Sequence, residues 1–246
     1  MMLRALVFAL LLAGCAPQGT GLGLNLVPEA EVEQAGREAW QEMRAKVPAS
    51  ADAALQARAH GIADRVLRGA GETPDAWEVV VFGSPEVNAF ALPGNKIGVY
   101  EGMMRLASDD ELAAVLGHEV GHNQARHAAQ RMNTETATSL GTSLLGAVLG
   151  GGGGQVASAL LGLGAEYGVI LPYSRNQELE ADRIGLLSMA RAGFDPHAAV
   201  SLWRKMDGQG SRPPAFLSTH PDPTSRIEQL QTQMPEAERE LKAARG

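Results

Sequence analysis

A single cysteine in 246 residues leaves no partner for an intrachain disulfide. Basic residues are outnumbered, 21 Lys and Arg against 28 Asp and Glu, for a formal net charge of −7. That balance argues against a nucleic-acid partner, whose phosphates require a basic footprint. Internal repeats are missing too, so the chain does not read as a stacked array. Long hydrophobic runs are also lacking: Ala5–Ala13 and Leu140–Leu149 are each too short to cross a bilayer as one helix. What remains is a length sufficient for one sizeable core.

The lone cysteine has a specific setting. Arg4 supplies one positive charge, Ala5–Ala13 is apolar, and Leu12-Ala13-Gly14-Cys15 follows. Residues 1–14 therefore read as a lipoprotein signal peptide, with Cys15 as the acylated residue. The alternative is an ordinary signal peptide with an incidental cysteine; the spacing and the lack of any other cysteine favour lipidation. Ala16 stands where an aspartate would resemble an inner-membrane retention signal. The expected location is the bacterial cell envelope, at the periplasmic face of the outer membrane, with the membrane engaged through lipidated Cys15. Residues 15–28, glycine-rich at first, read as a tether, and 29–246 as a single domain.

The densest chemistry lies at His118-Glu119-Val120-Gly121-His122. On a helix, positions i and i+4 share a face, so both imidazoles can reach one Zn²⁺. Glu119 is turned by about 100° from His118, towards the place of a water to be activated. The alternative makes both histidines ordinary helix residues with Glu119 solvated. Ser108-Asp109-Asp110-Glu111 forms a capping box that starts this helix, and the run continues through His127 towards Met132. Gly117 and Gly121 each cost roughly 1 kcal/mol of helix propensity; they make sense if another backbone or a substrate packs close.

A zinc hydrolase needs a third protein ligand. Ser174 and Gln177 form a second capping box, so a helix begins there and places Glu178 and Asp182 one turn apart on one face. Glu178 can bind the metal while Asp182 accepts a hydrogen bond from a ligating imidazole. Glu180 points elsewhere and reads as a surface residue. Taken alone, this stretch is equally an acidic first turn.

The two stretches together resemble the glutamate-ligand zincins, and within them the CAAX prenyl proteases and HtpX, the periplasmic lipoprotein branch above all. Asn88-Ala89-Phe90-Ala91-Leu92-Pro93-Gly94 upstream and Leu217-Ser218-Thr219-His220-Pro221-Asp222-Pro223 with Arg226-Ile227 downstream extend the resemblance from about Trp77 to Leu230. It implies His118, His122 and Glu178 as ligands of one Zn²⁺ per chain, Glu119 as general base and Asp182 as partner of a ligand. It also implies that His220 and Arg226 face the metal and stabilise the oxyanion, or that His220 caps the zinc in a resting state. Asn88, Ala89 and Phe90 would form the edge strand that aligns a peptide substrate. The implied activity is zinc-dependent endopeptidase action on misfolded or envelope proteins. A second class stays open: an assembly chaperone or quality-control factor of the outer-membrane assembly machinery with a structural zinc site. Intact Glu119 favours catalysis.

The expected fold is α+β and mostly α, a zincin-like domain with a small β-sheet over the active-site helix. Helices are expected at Glu31–Lys46, Ala51–Gly69, Pro196–Met206 and Thr224–Lys242, and extended segments at Trp77–Phe82, Val87–Phe90 and Lys96–Tyr100. Asp222 and Pro223 read as N-cap and first residue of the last helix. The glycine-rich segment 140–171 reads as two short helices around a glycine turn, packed on the core or lying over the cleft as a flap, with a membrane hairpin as the alternative.

Overall fold

In the computed structural model, residues 26–148, 173–207 and 214–246 are described. The signal peptide, Cys15, nearly all of the tether and most of the 140–171 flap lie outside the described residues. Among the described residues no helix is long and apolar enough to cross a membrane.

Helices dominate, as the sequence predicts. Helix α1 (Glu29–Lys46) and α2 (Ala53–Gly69) precede β1 (Glu78–Phe82), β2 (Ala89–Leu92) and β3 (Lys96–Tyr100). Then come α3 (Glu101–Leu106), α4 (Asp109–Gln124), α5 (His127–Val148), α6 (Arg175–Arg191), α7 (His197–Asp207), α8 (Ala215–Thr219) and α9 (Pro223–Arg245). The sheet order is β1-β3-β2, with β1 parallel and β2 antiparallel to β3. The second strand starts two residues later than expected, and Asn88 stands just before it. The turn into β3 puts Gly94 at φ 80° and Asn95 at φ 61°, a region that Asn tolerates better than most side chains.

Both capping boxes form. Ser108 accepts from the Glu111 amide while Glu111 Oε2 accepts from the Ser108 amide, and Ser174 and Gln177 do the same at α6. One expectation fails: the metal helix does not run on to Met132. It ends at Gln124, Arg126 adopts φ 56°, and α5 restarts at His127.

The main core packs α2, α4, α6, α7 and α9 around apolar side chains such as Leu67, Leu112, Leu116, Leu186 and Met189. Helices α4 and α6 meet backbone to backbone. A Cβ on Gly117 would stand 2.8 Å from Gly185 O, and one on Gly121 would stand 2.7 Å from Ala181 O. Those glycines exchange helix propensity for an approach that side chains would block. A second cluster of Trp40, Phe82, Phe90 and Tyr100 clamps α1 to the sheet, with Trp40 edge-on to Phe82 at 5.4 Å.

Candidate metal centre

The close crossing of α4 and α6 brings the His-Glu-x-x-His face against Glu178 and Asp182. His118 Nε2 and His122 Nε2 lie 2.9 Å apart, and Glu178 oxygens lie 3.4 Å and 3.5 Å from them. The α8–α9 junction adds His220, whose Nδ1 is 3.1 Å from both His118 Nε2 and Glu178 Oε1. One donor atom from each of these four residues falls within 4.8 Å of all the others. All four residues are at most 4% exposed.

Donors about 2 Å from a central ion in a tetrahedron stand roughly 3.3 Å apart, so this spacing fits a zinc ion. The chemistry agrees, since neutral imidazoles and one carboxylate are the donors zinc takes in hydrolases. Zinc is the cofactor this set serves. Glu119 is 1% exposed, its Oε1 has no hydrogen-bond partner, and the nearest ring nitrogen is His220 Nε2 at 3.4 Å. A buried carboxylate oxygen left unpaired is costly unless a further polar group joins it.

Electrostatics around the cluster are strongly polarised. Burial opposes ionisation of Glu178, yet the surrounding imidazoles hold its carboxyl far below the usual range. Burial likewise opposes Asp182, but the Arg226 guanidinium keeps its pKa low. Burial and the Arg226 charge pull His118 down; hydrogen bonds to Asp182 and Glu178 outweigh them and lift it to about 9. His122 is pushed well below its ordinary value by burial and by the neighbouring His118 charge.

Asp182 lies beside the first histidine, with Oδ1 3.0 Å from His118 Nδ1. Arg226, fully buried, donates to Asp182 from Nε at 2.6 Å and from Nη2 at 2.5 Å. Its Nη1 lies 2.6 Å from Glu178 Oε2, and the guanidinium covers the Trp203 ring at 3.8 Å. Its shortest contacts are thus to the carboxylates, while Nη2 also lies 3.0 Å from His118 Nδ1 and Nη1 donates to the His220 carbonyl at 3.5 Å. Asp222 caps α9 by accepting from the Ser225 amide at 3.4 Å, with Pro223 in the first turn.

A groove of about 330 Å³ runs beside the cluster between α1, the β2–β3 turn and the α4–α5 junction. Ala91 and Leu92 line it from the strand side, and His122 and Tyr173 also line it. Of the expected edge residues, Asn88 gives its carbonyl to the Tyr100 amide, while Ala89 and Phe90 are buried in the β2–β3 pairing.

Sequence reasoning missed two residues. Tyr173 stacks on the His122 ring at 4.0 Å, and burial raises its hydroxyl to about 12. His127, fully buried, places Nδ1 2.9 Å from His122 Nδ1 and Nε2 3.2 Å from Glu180 Oε2. Its one visible signal was a third histidine five residues after the pair; on an unbroken helix that spacing lies about 140° round from His122. Glu180 is exposed as expected, but it is tied to this buried ring.

Residues 52–234 match the family model described as Peptidase family M48. The chain is 42% identical over 178 residues to the mitochondrial metalloendopeptidase OMA1 of Schizosaccharomyces pombe, covering 71% of this chain and 51% of the relative. It is 31% identical over 220 residues to the beta-barrel assembly-enhancing protease of Yersinia pestis, covering 85% of this chain and 45% of the relative. The corresponding Escherichia coli K12 protein is 30% identical over 222 residues, with the same coverage. The chain therefore spans about half the length of these relatives. The matches establish the family as a whole, without singling out its CAAX prenyl protease or HtpX branch. A cluster of metal-fitting donors drawn from α4, α6 and the α8–α9 junction, all within the residues that the family model matches, places this chain in peptidase family M48.

Proposed function

We propose that the protein is a zinc-dependent metalloendopeptidase acting on misfolded or envelope proteins. The observation that carries this reading is the buried carboxylate of Glu119, unpaired at Oε1 and adjoining a zinc-fitting donor set. His118, His122 and Glu178 hold the metal. When bound, zinc supplies a Lewis acid that polarises the scissile carbonyl and makes a water easier to deprotonate. Glu119 accepts the water proton and returns it to the leaving amine. Asp182 accepts from His118 Nδ1–H and so leaves Nε2 free for the metal. Arg226 anchors Asp182 and Glu178 from α9. His220 lies among the donors, which supports a resting state in which it would cap the metal; displaced from there, its ring N–H would be the donor at hand for an oxyanion.

The groove supplies the substrate path. An extended peptide laid along the β2 edge would meet His122 and Tyr173 in the lining of the groove. Two names among the bacterial relatives, both beta-barrel assembly-enhancing proteases, support substrates or partners of the envelope and the outer-membrane assembly machinery. Together with the Leu12–Cys15 motif they support a lipoprotein at the periplasmic face of the outer membrane.

Casein cleavage by purified protein and by Glu119→Gln, both verified for zinc content, tests the reading. The expected loss is on the order of 10²–10⁴-fold with zinc retained. Equal cleavage by both would remove the mechanism, and no cleavage by the zinc-loaded wild type would leave the assembly-factor reading in its place.

A further inference from the structure

His122 Nε2 faces the other metal donors, while its Nδ1 meets His127 Nδ1 at 2.9 Å and His127 Nε2 meets Glu180 Oε2 at 3.2 Å. The protons along this line follow by elimination. A neutral imidazole that gives Nε2 to a metal carries its proton on Nδ1, and that N–H has to donate. His127 Nδ1 must then accept, which places the His127 proton on Nε2, aimed at the Glu180 carboxylate. A His127 protonated on both nitrogens would set two N–H groups face to face. Only one assignment gives every donor an acceptor.

We propose that His127 is a positioning residue that fixes the tautomer and ring orientation of His122 for zinc and couples it to the Glu180 carboxylate. The inference rests on reading His118, His122 and Glu178 as the zinc ligands. It gives the two imidazole ligands unequal support. His118 leans directly on Asp182, a fully enclosed carboxylate clamped by Arg226. His122 leans on a neutral ring, which in turn leans on a carboxylate whose side chain is 57% exposed. The break at Arg126 is what makes this contact: positive φ there lets α5 restart at His127 and turns its ring back over the preceding helix.

Zinc affinity of the full chain, measured by chelator competition, tests this alongside the unfolding midpoint of the metal-free proteins. His127→Phe preserves ring volume and removes the acceptor; zinc binding should weaken about 10–100-fold. His127→Asn, whose Oδ1 can accept from His122 Nδ1–H, should recover most of that loss. Glu180→Ala changes an exposed position, so it should weaken zinc by a smaller factor and leave the metal-free midpoint unmoved. Unchanged affinity in both His127→Phe and Glu180→Ala would overturn the proposal. Should His127→Phe fail to fold, ring-nitrogen chemical shifts of the zinc-loaded wild type decide. A neutral His127 carrying Nε2–H supports it, and a proton on Nδ1 overturns it. A wild type that takes up no stoichiometric zinc would overturn the ligand reading itself, and this inference with it.

Discussion

At the residue scale the metal-free cluster is already charged for its task, with one exception. Glu178 is held ionised by its imidazole neighbours and His122 is held neutral by burial, so neither has a proton to lose near neutrality. His118 is different: hydrogen bonds to Asp182 and Glu178 lift it to about 9 against the pull of burial, so at pH 7 it carries a proton that the metal must displace. Zinc uptake should therefore release about one proton per chain at pH 7, and apparent affinity should rise about tenfold per pH unit until it levels near pH 9. Calorimetric titration in buffers of different ionisation enthalpy measures the proton count directly. The sign for folding is opposite. A raised folded-state pKa stabilises the metal-free protein fully below the ordinary histidine value, and that contribution fades as pH climbs through 9. A proton count near zero at pH 7 would show that the Asp182 and Glu178 contacts do not outweigh burial.

At the element scale the site depends on how close α4 and α6 can come. A Cβ on Gly185 would stand 2.6 Å from the His118 amide nitrogen and from Gly117 C, both backbone atoms that cannot swing aside. Gly185→Ala should thus cost about 1–3 kcal/mol of stability and weaken zinc as the histidine face separates from Glu178; denaturant unfolding with and without zinc checks both. Trp40→Ala, which empties the clamp between α1 and the sheet, should cost about 3–5 kcal/mol while leaving zinc affinity close to wild type. What was legible in the sequence at this scale was local. Ser108 with Glu111 and Ser174 with Gln177 announce helix starts within four residues, and the glycines beside the ligands mark a close approach without telling a backbone from a substrate. The α3 and α8 helices, six and five residues long, are too short to show a period. The chain breaks after α4 around Arg126, a residue type with no turn signature, so the sequence pattern alone puts His127 on a continuing helix and does not show its ring contact. The partners of Tyr173 and Glu180 are fixed only by tertiary packing.

At the scale of the whole molecule the donors come from three separate parts of the chain: α4, the start of α6 and the α8–α9 junction, with His118 and His220 102 residues apart. Arg226, on the first turns of α9, adds a second tie by pairing with Asp182 and Glu178 on α6. A bound zinc ion therefore links the same helices that enclose the main core, and its binding energy is folding energy for the domain. At a free zinc concentration about 100 times the dissociation constant this stabilises by about 2.7 kcal/mol, which for a domain of this size corresponds to a rise of roughly 5–10 °C in Tm. Removing the metal by chelation should lower the unfolding midpoint by that amount, and adding zinc should restore it. His220→Ala should keep a substantial part of the zinc-dependent shift, because His118, His122 and Glu178 still hold the ion. Glu178→Ala should lose nearly all of it and, in addition, leave the buried Arg226 short of one carboxylate, so its metal-free midpoint should fall below that of the metal-free wild type. Scanning calorimetry of the three proteins with and without zinc separates the two contributions. A shift that survives Glu178→Ala intact would mean that the ion, wherever it sits, does not join α4 to α6.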